Sequence, residues 1–367
     1  MSKSRRNENT KWIVAFFIEL IVIALMSYGV FRVYIHEKYQ KLDHVNDMTE
    51  DELGLNDGAN PEMDEYTNIA LFGIDARDNS LGKGNRSDAI LIASINNSTK
   101  EIRLLSVYRD TMMEITKEDG TTVTSKVNAA YAYGGPELAV QTLNKNLDLN
   151  ISEYVTVNWE GMTRAIDALG GVVVHIEDNE IDVLNGVLAE QIAANGISSN
   201  GVYETGYVTL NGAQATAYSR IRSTDQGDIT RTERQREVIQ AMLVQAKSSD
   251  LATLNSIIDD IFPYIGTSIT ESEITGYVSS VMSYELKGSS GFPFRYGFYT
   301  SDLKGACIVA TDLNENVVAM QNFLFGTENY TPTAQVQNIS SVISGETGIY
   351  GEGAVEVPAL DDEEEEE

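Results

Sequence analysis

Charged side chains collect at the ends of three apolar runs. Asp75 and Arg77 follow "NIALFGI" (68–74), Arg86 and Asp88 precede "AILIASI" (89–95), and Arg109 and Asp110 close "IRLLSVY" (102–108). A second set lies in "YSRIRSTDQGDITRTERQR" (218–236), which carries Arg220, Arg222, Arg231, Arg234 and Arg236. A planar guanidinium fork suits a phosphate bidentately, and each charge-assisted hydrogen bond is worth about 1.5–3 kcal/mol. A pyrophosphate offers oxygens for several such forks. The carboxylates Asp75 and Asp88 supply what phosphate chemistry also needs, because Mg²⁺ takes one or two carboxylates plus phosphate oxygens and water. The competing reading is structural: the arginines would pair with Asp225, Asp228 or Glu233 and stabilise the fold. That reading suits one arginine better than Arg220, Arg222 and Arg231 together, since inward arginines are costly unless paired.

The elements that must position these residues follow from pattern. The three runs are short, apolar and β-branched, and turn residues bound them, so they read as buried strands. "NNSTKE" makes a compact hairpin between the second and third. If the first strand is also antiparallel to the second, all six charged residues gather at one end of a sheet, a usual place for a site. Thr230-Arg231-Thr232-Glu233 fits a capping box ahead of a helix. Val238, Ile239, Met242, Leu243 and Ala246 define its apolar arc at about 100° per residue. Gln235 falls within that arc and Arg231 just inside its edge. Arg234 sits on one flank as support, and Arg236, further off, is expected at the surface. A helix amino terminus also favours an anion. Arg220 and Arg222, two apart on an extended segment, point the same way.

Helices are expected at 127–147 (in two pieces around Gly134-Gly135-Pro136) and near 160–168, 231–247, 251–260, 271–284 and 312–325. Strands are expected at 153–157, 172–176 and 294–299. This alternation argues an α/β fold, a mixed β-sheet sandwiched by helices. The expected organisation is a cytoplasmic tail (1–11), a transmembrane anchor (12–31), an extracytoplasmic spacer (32–65), a catalytic domain (66–327), and a linker with an acidic disordered tail (328–367). Trp12 to Phe31 is twenty mainly apolar residues, enough to span a bilayer core. Lys3, Arg5, Arg6 and Lys11 precede it and place the amino terminus in the cytoplasm. A cleaved signal peptide is the rival reading.

Composition narrows the chemistry. The chain has 367 residues and a formal charge of −29, against general nucleic-acid binding. Cys307 is its one cysteine, and the histidines are His36, His44 and His175, so acid–base work falls to carboxylates. No Gly-x-x-x-x-Gly-Lys-Ser/Thr loop marks a nucleotide cradle.

Taken in order, "NIALFGIDAR…NRSDAILIASIN…IRLLSVYRDT", "KVNAAYAYGG" and "GDITRTERQR" resemble the LytR–CpsA–Psr family of membrane-anchored cell-envelope phosphotransferases. The resemblance implies an α/β domain with an apolar pocket for a polyprenyl chain. It implies a donor that is a polyprenyl-pyrophosphate-linked glycopolymer and an acceptor that is a peptidoglycan sugar hydroxyl. The family's metal-site aspartates fall on Asp75 and Asp88, with Mg²⁺ (or Mn²⁺) as the ion. Its pyrophosphate-binding arginines fall on Arg86, Arg109, Arg220, Arg222 and Arg231, the glutamine of its Arg-Gln pair on Gln235, and the acid preceding them on Asp228. The proton acceptor is Asp88 or Asp228, while Asp110 could orient Arg109. Tyr108 stands where the family often has Pro, which is expected to loosen the backbone before Arg109. The polymer, whether teichoic acid, capsule or another glycan, is not specified, and polyprenyl-pyrophosphate hydrolysis would be a side reaction with water as acceptor. A non-catalytic polyprenyl-pyrophosphate receptor or a regulatory envelope protein are the alternatives.

Overall fold

The computed structural model describes residues 36–37, 39, 43–44, 48–76, 80–222, 228–249, 261–351 and 355. The predicted span at 12–31, the helix expected at 251–260 and the acidic end 361–367 lie outside the described residues. Among the described residues no helix is long and apolar enough to cross a membrane.

The three apolar runs form β1 (Tyr66–Ile74), β2 (Ser87–Asn96) and β3 (Glu101–Val107), and both pairings are antiparallel. A hairpin, β4 (Met112–Thr116) and β5 (Thr122–Lys126), leads into α1 (Asn128–Leu147). Then come β6 (Glu153–Asn158), α2 (Trp159–Ala168) and β7 (Val172–Ile176). α3 (Ile181–Asn195), β8 (Gly206–Leu210), α4 (Gly212–Tyr218) and α5 (Asp228–Ser248) follow. The last third holds β9 (Ile265–Thr267), α6 (Glu271–Ser280), β10 (Glu285–Phe292), β11 (Tyr296–Ser301), β12 (Gly305–Ala310), α7 (Leu313–Phe325) and α8 (Ala334–Thr347). Seven strands make the central sheet, in the order Asp43–His44, β9, β6, β1, β2, β3, β10. β6 runs parallel to β1 and β10 parallel to β3, so the sheet is mixed, as expected.

Both faces of the sheet are covered, which is why its middle strands read as nearly unbroken apolar runs. On one face Phe72, Ile74, Ile90, Ile92, Leu105 and Tyr154 pack against α1, α7 and α8. On the other, Ile69, Ala93, Ile102 and Leu104 meet Ile239 of α5 and Ile274 and Tyr277 of α6. A separate core joins α2, α3, α4 and the β7–β8 ribbon through Ile166, Val174, Leu184, Leu210 and Ile221.

Two expected boundaries are corrected. The segment assigned as linker from 328 contains α8, whose Val336, Ile339 and Ile343 enter the main core. Described residues of the apparent spacer 32–65 already belong to the domain. A two-residue strand, Asp43–His44, pairs with β9, Glu50–Leu53 forms one helical turn, and Met63 is buried. Asp148 ties these ends together. It is fully buried, with φ of 51° at the end of α1. Its carboxylate accepts from Asn56 Nδ2 (2.6 Å), Tyr330 OH (3.0 Å), Thr333 N (2.8 Å) and Thr333 Oγ1 (2.7 Å). A buried donor left unpaired costs about 1–3 kcal/mol, so Asp148→Ala is expected to destabilise the domain by at least ~3 kcal/mol in urea denaturation.

Candidate active site

The strand-end cluster is assembled by one irregularity. β1 and β2 pair Gly73 with Ala89 but Ile74 with Ser87, so Asp88 is an extra residue on the β2 side. Such a bulge bends a strand and re-aims a side chain. Here it delivers Asp88 to the end of β3, where Arg109 Nη1 meets its Oδ1 at 2.5 Å. Arg109 Nε lies 3.6 Å from Asp110 Oδ2, and Lys126 Nζ lies 3.0 Å from Asp110 Oδ1. The result is a row of alternating charge: Asp88, Arg109, Asp110, Lys126. Asp75 and Arg86 flank the Ile74–Ser87 pair and are exposed at the same end. Arg77 lies outside the described residues.

α5 brings in the second set. Arg231 is 2% exposed, and its Nη2 donates to the Asp88 carbonyl at 3.3 Å. Gln235, also buried, lies with its Nε2 3.5 Å from the Ser219 carbonyl. Among the described residues its amide oxygen has no partner. Arg234 pairs with the buried Glu180 through Nε (2.7 Å) and Nη2 (2.6 Å), and its Nη1 lies 3.5 Å from the Ile221 carbonyl. α5 therefore holds the segment that carries Arg220 and Arg222. That segment is a turn closing α4 rather than an extended strand. Buried Ile221 separates its two arginines, Arg220 half-buried over the Trp159 ring (5.7 Å) and Arg222 exposed. Trp159 follows Asn158, which pairs with Ile74, so Arg220 stands at the same end of the sheet as Asp75. Asp228 opens α5, and its side chain is outside the described set.

Two further expectations fail. Arg236 is half-buried rather than at the surface, and its charge pulls against the burial that pushes the Tyr108 hydroxyl up to about 12. Tyr108 does not loosen the backbone. Its N–H donates to Phe292 O at 3.0 Å, a bond proline could not make, and its carbonyl accepts from Thr111 N at 2.9 Å. Its ring packs edge-on against Tyr296, and Gly291 leaves the room it needs.

Beside the cluster an apolar cavity of about 210 Å³ opens between the sheet and α2 and α5. Leu71, Gly73, Ala89, Val157, Met162 and Met242 line it, with Gln235 and Ser219 among its few polar neighbours. Two carboxylates and this arginine set fit a divalent ion that shares its ligands with a phosphate. No described residue pairs with Asp75, and Asp88 commits one oxygen to Arg109. Among the described residues no group of three or more His, Cys, Asp or Glu side chains is placed to hold a metal by itself.

The LytR_cpsA_psr family model matches residues 29–290. The chain belongs to that family. A relative from Oceanobacillus iheyensis, polyisoprenyl-teichoic acid–peptidoglycan teichoic acid transferase TagU, is 30% identical over 295 residues, covering 74% of this chain and 83% of the relative. The solved structure of protein gbs0355 from Streptococcus agalactiae superposes with a TM-score of 0.62 at 27% identity, over 75% of this chain and 93% of that one. The structure titled TagT bound to LI-WTA shares the fold, with a TM-score of 0.57 at 21% identity, over 83% of this chain and 100% of that one.

In this LytR_cpsA_psr chain, sequence pattern did not reveal Glu180, Trp159 or Lys126. Each acts on an arginine or its partner from an element distant in sequence. Removing one member of a buried ion pair costs about 3–5 kcal/mol, whereas replacing both by apolar groups is often neutral. Glu180→Ala is therefore expected to lower unfolding stability by that amount, and Glu180→Leu with Arg234→Met to recover most of it, both read by urea denaturation.

Proposed function

We propose that the chain moves a glycosyl-phosphate polymer from a polyprenyl-pyrophosphate carrier to a peptidoglycan sugar hydroxyl. The observation that carries this reading is the junction of an arginine-rich, aspartate-bearing strand end with an apolar cavity. One molecule with an anionic head and a long apolar tail matches both. The printed activity of the relative, teichoic acid transfer to peptidoglycan, supports it. Arg86, Arg109, Arg220, Arg222 and Arg231 face the pyrophosphate, and Gln235 marks its border with the lipid. Asp75 and Asp88 hold Mg²⁺ (or Mn²⁺), which when bound neutralises phosphate charge.

The reaction breaks the bridging P–O bond on the polymer side of the pyrophosphate. The acceptor oxygen forms the new P–O bond, and polyprenyl phosphate leaves. An aspartate, Asp88 or Asp228, takes the acceptor proton. The arginines stabilise charge on the transferred and leaving groups in a partly dry site. Residues 12–31 anchor the chain, and the catalytic domain lies outside the cytoplasmic membrane. With water as acceptor the same site hydrolyses polyprenyl pyrophosphate.

Arg109→Ala, Arg220→Ala and Asp75→Ala are each expected to slow transfer by about 100-fold or more in an assay with purified donor and peptidoglycan fragments. Transfer at the wild-type rate by all three would remove the site assignment. Chelation with EDTA is expected to stop transfer, and Mg²⁺ to restore it, read as polymer linked to the fragment by mass spectrometry.

A further inference from the structure

β6 has a cavity on each of its faces. Val155 and Val157 line the apolar one, whereas Tyr154 and Thr156 line a second cavity of about 280 Å³ on the α1 side. Resting on the transferase reading, we infer that this second cleft binds the acceptor saccharide.

Its walls carry groups suited to a polyhydroxylated ligand. Glu137 Oε1 accepts from Tyr154 OH at 2.8 Å, and Lys83 and Glu118 stand at the rim. The Lys83–Glu118 contact is long, at 3.6 Å, and both side chains are about two-thirds exposed (67% and 69%). Such a pair is worth little in water, so a ligand displaces it at small cost. Two carboxylates against one ammonium make the cleft a poor place for a second phosphate and a good one for sugar hydroxyls. α1 opens to form it. Gly134 (φ −142°, ψ 18°) and Gly135 (φ 75°, ψ −165°) leave helical geometry, and Pro136 restarts the helix. Gly135 holds a conformation essentially closed to other residues, and strain of this kind gathers at ligand sites. A Cβ there would sit 3.0 Å from Glu137 Oε2 and 3.7 Å from the Lys83 backbone nitrogen, both from residues that line the cleft. Tyr131 fixes the loop wall, donating to the Leu81 carbonyl while its hydroxyl lies 3.0 Å from Thr156 Oγ1.

The direction of attack selects this side. In phosphoryl transfer the attacking and leaving oxygens are roughly in line through phosphorus. The leaving polyprenyl phosphate points to the cavity on the α2 and α5 face, so the acceptor hydroxyl arrives from the opposite side. Thr156 lies two residues before Asn158, whose partner Ile74 precedes Asp75. The cleft thus ends beside the phosphate-handling strand ends.

The test measures binding by the full-length chain in detergent, using a soluble peptidoglycan disaccharide-peptide and, separately, farnesyl pyrophosphate. The Lys83→Ala/Glu118→Ala double variant and Glu137→Gln are each expected to bind the fragment about tenfold more weakly, the worth of one charge-assisted hydrogen bond. Both should bind farnesyl pyrophosphate as the wild type does and keep its thermal midpoint. In transfer assays the KM for acceptor rises and the KM for donor does not. No fragment binding by the wild type, undiminished binding by the variants, or a parallel loss of farnesyl pyrophosphate affinity would each overturn the proposal. Failure of the transferase reading shows differently, as donor left intact by the wild-type chain whatever the fragment binding.

Discussion

Burial of both faces of the central sheet confines polar chemistry to its ends. A charged group in the middle of β1 or β2 would be stripped of water at a cost of several kcal/mol, and Arg103 of β3 is accommodated by donating to the Phe323 carbonyl at 2.7 Å. At the strand ends the same groups find one another. Asp88, Arg109, Asp110 and Lys126 neutralise each other in sequence. Pairing Ile74 with both Ser87 and Asn158 collects three strands at one rim. Everything the molecule can do to a phosphate depends on that exclusion.

α5 translates the rim into a site. Its first two turns hold buried arginines with different duties. Arg231 contacts the Asp88 carbonyl, and Arg234 is spent on Glu180 and on the backbone of the Arg220–Arg222 turn. On the next turns the inward residues are apolar, and Val238 and Met242 form a wall of the cavity. One helix therefore changes from arginine-bearing to apolar on its inward side, the order that the proposed amphiphilic donor requires.

Much of this was legible in sequence because it rests on local pattern. The β2–β3 hairpin, the break of α1 at Gly134-Gly135-Pro136, and the inward side of α5 at Arg231 and Gln235 follow from turn chemistry and periodicity. The misses depend on partners distant in the chain. α8 hides in a stretch rich in Ser, Thr and Gly, although Val336, Ile339 and Ile343 keep helical spacing. Its helicity comes from packing on the core and little from propensity. Arg236 lies off the apolar arc of its own helix, yet it is half-buried and near enough to Tyr108 of another element for its charge to act on that hydroxyl. Tyr108 itself looked like a lost proline, and only the neighbouring β10 shows what its N–H is for.

The extra residue at Asp88 has one more effect. Side chains on a strand alternate, so positions two apart normally share a side. Across the bulge they do not. Ser87 pairs with Ile74 on the α1 side, while Ala89 pairs with Gly73 and looks into the apolar cavity. The chain shifts its phase by one residue as it passes the chemistry. A single segment, 81–91, lines the cleft with Leu81, Gly82 and Lys83 and the cavity with Ala89 and Leu91. Deleting Asp88 would restore regular alternation, with Ser87 still opposite Ile74 and Ala89 still opposite Gly73. What would be lost is the carboxylate that the bulge re-aims at Arg109.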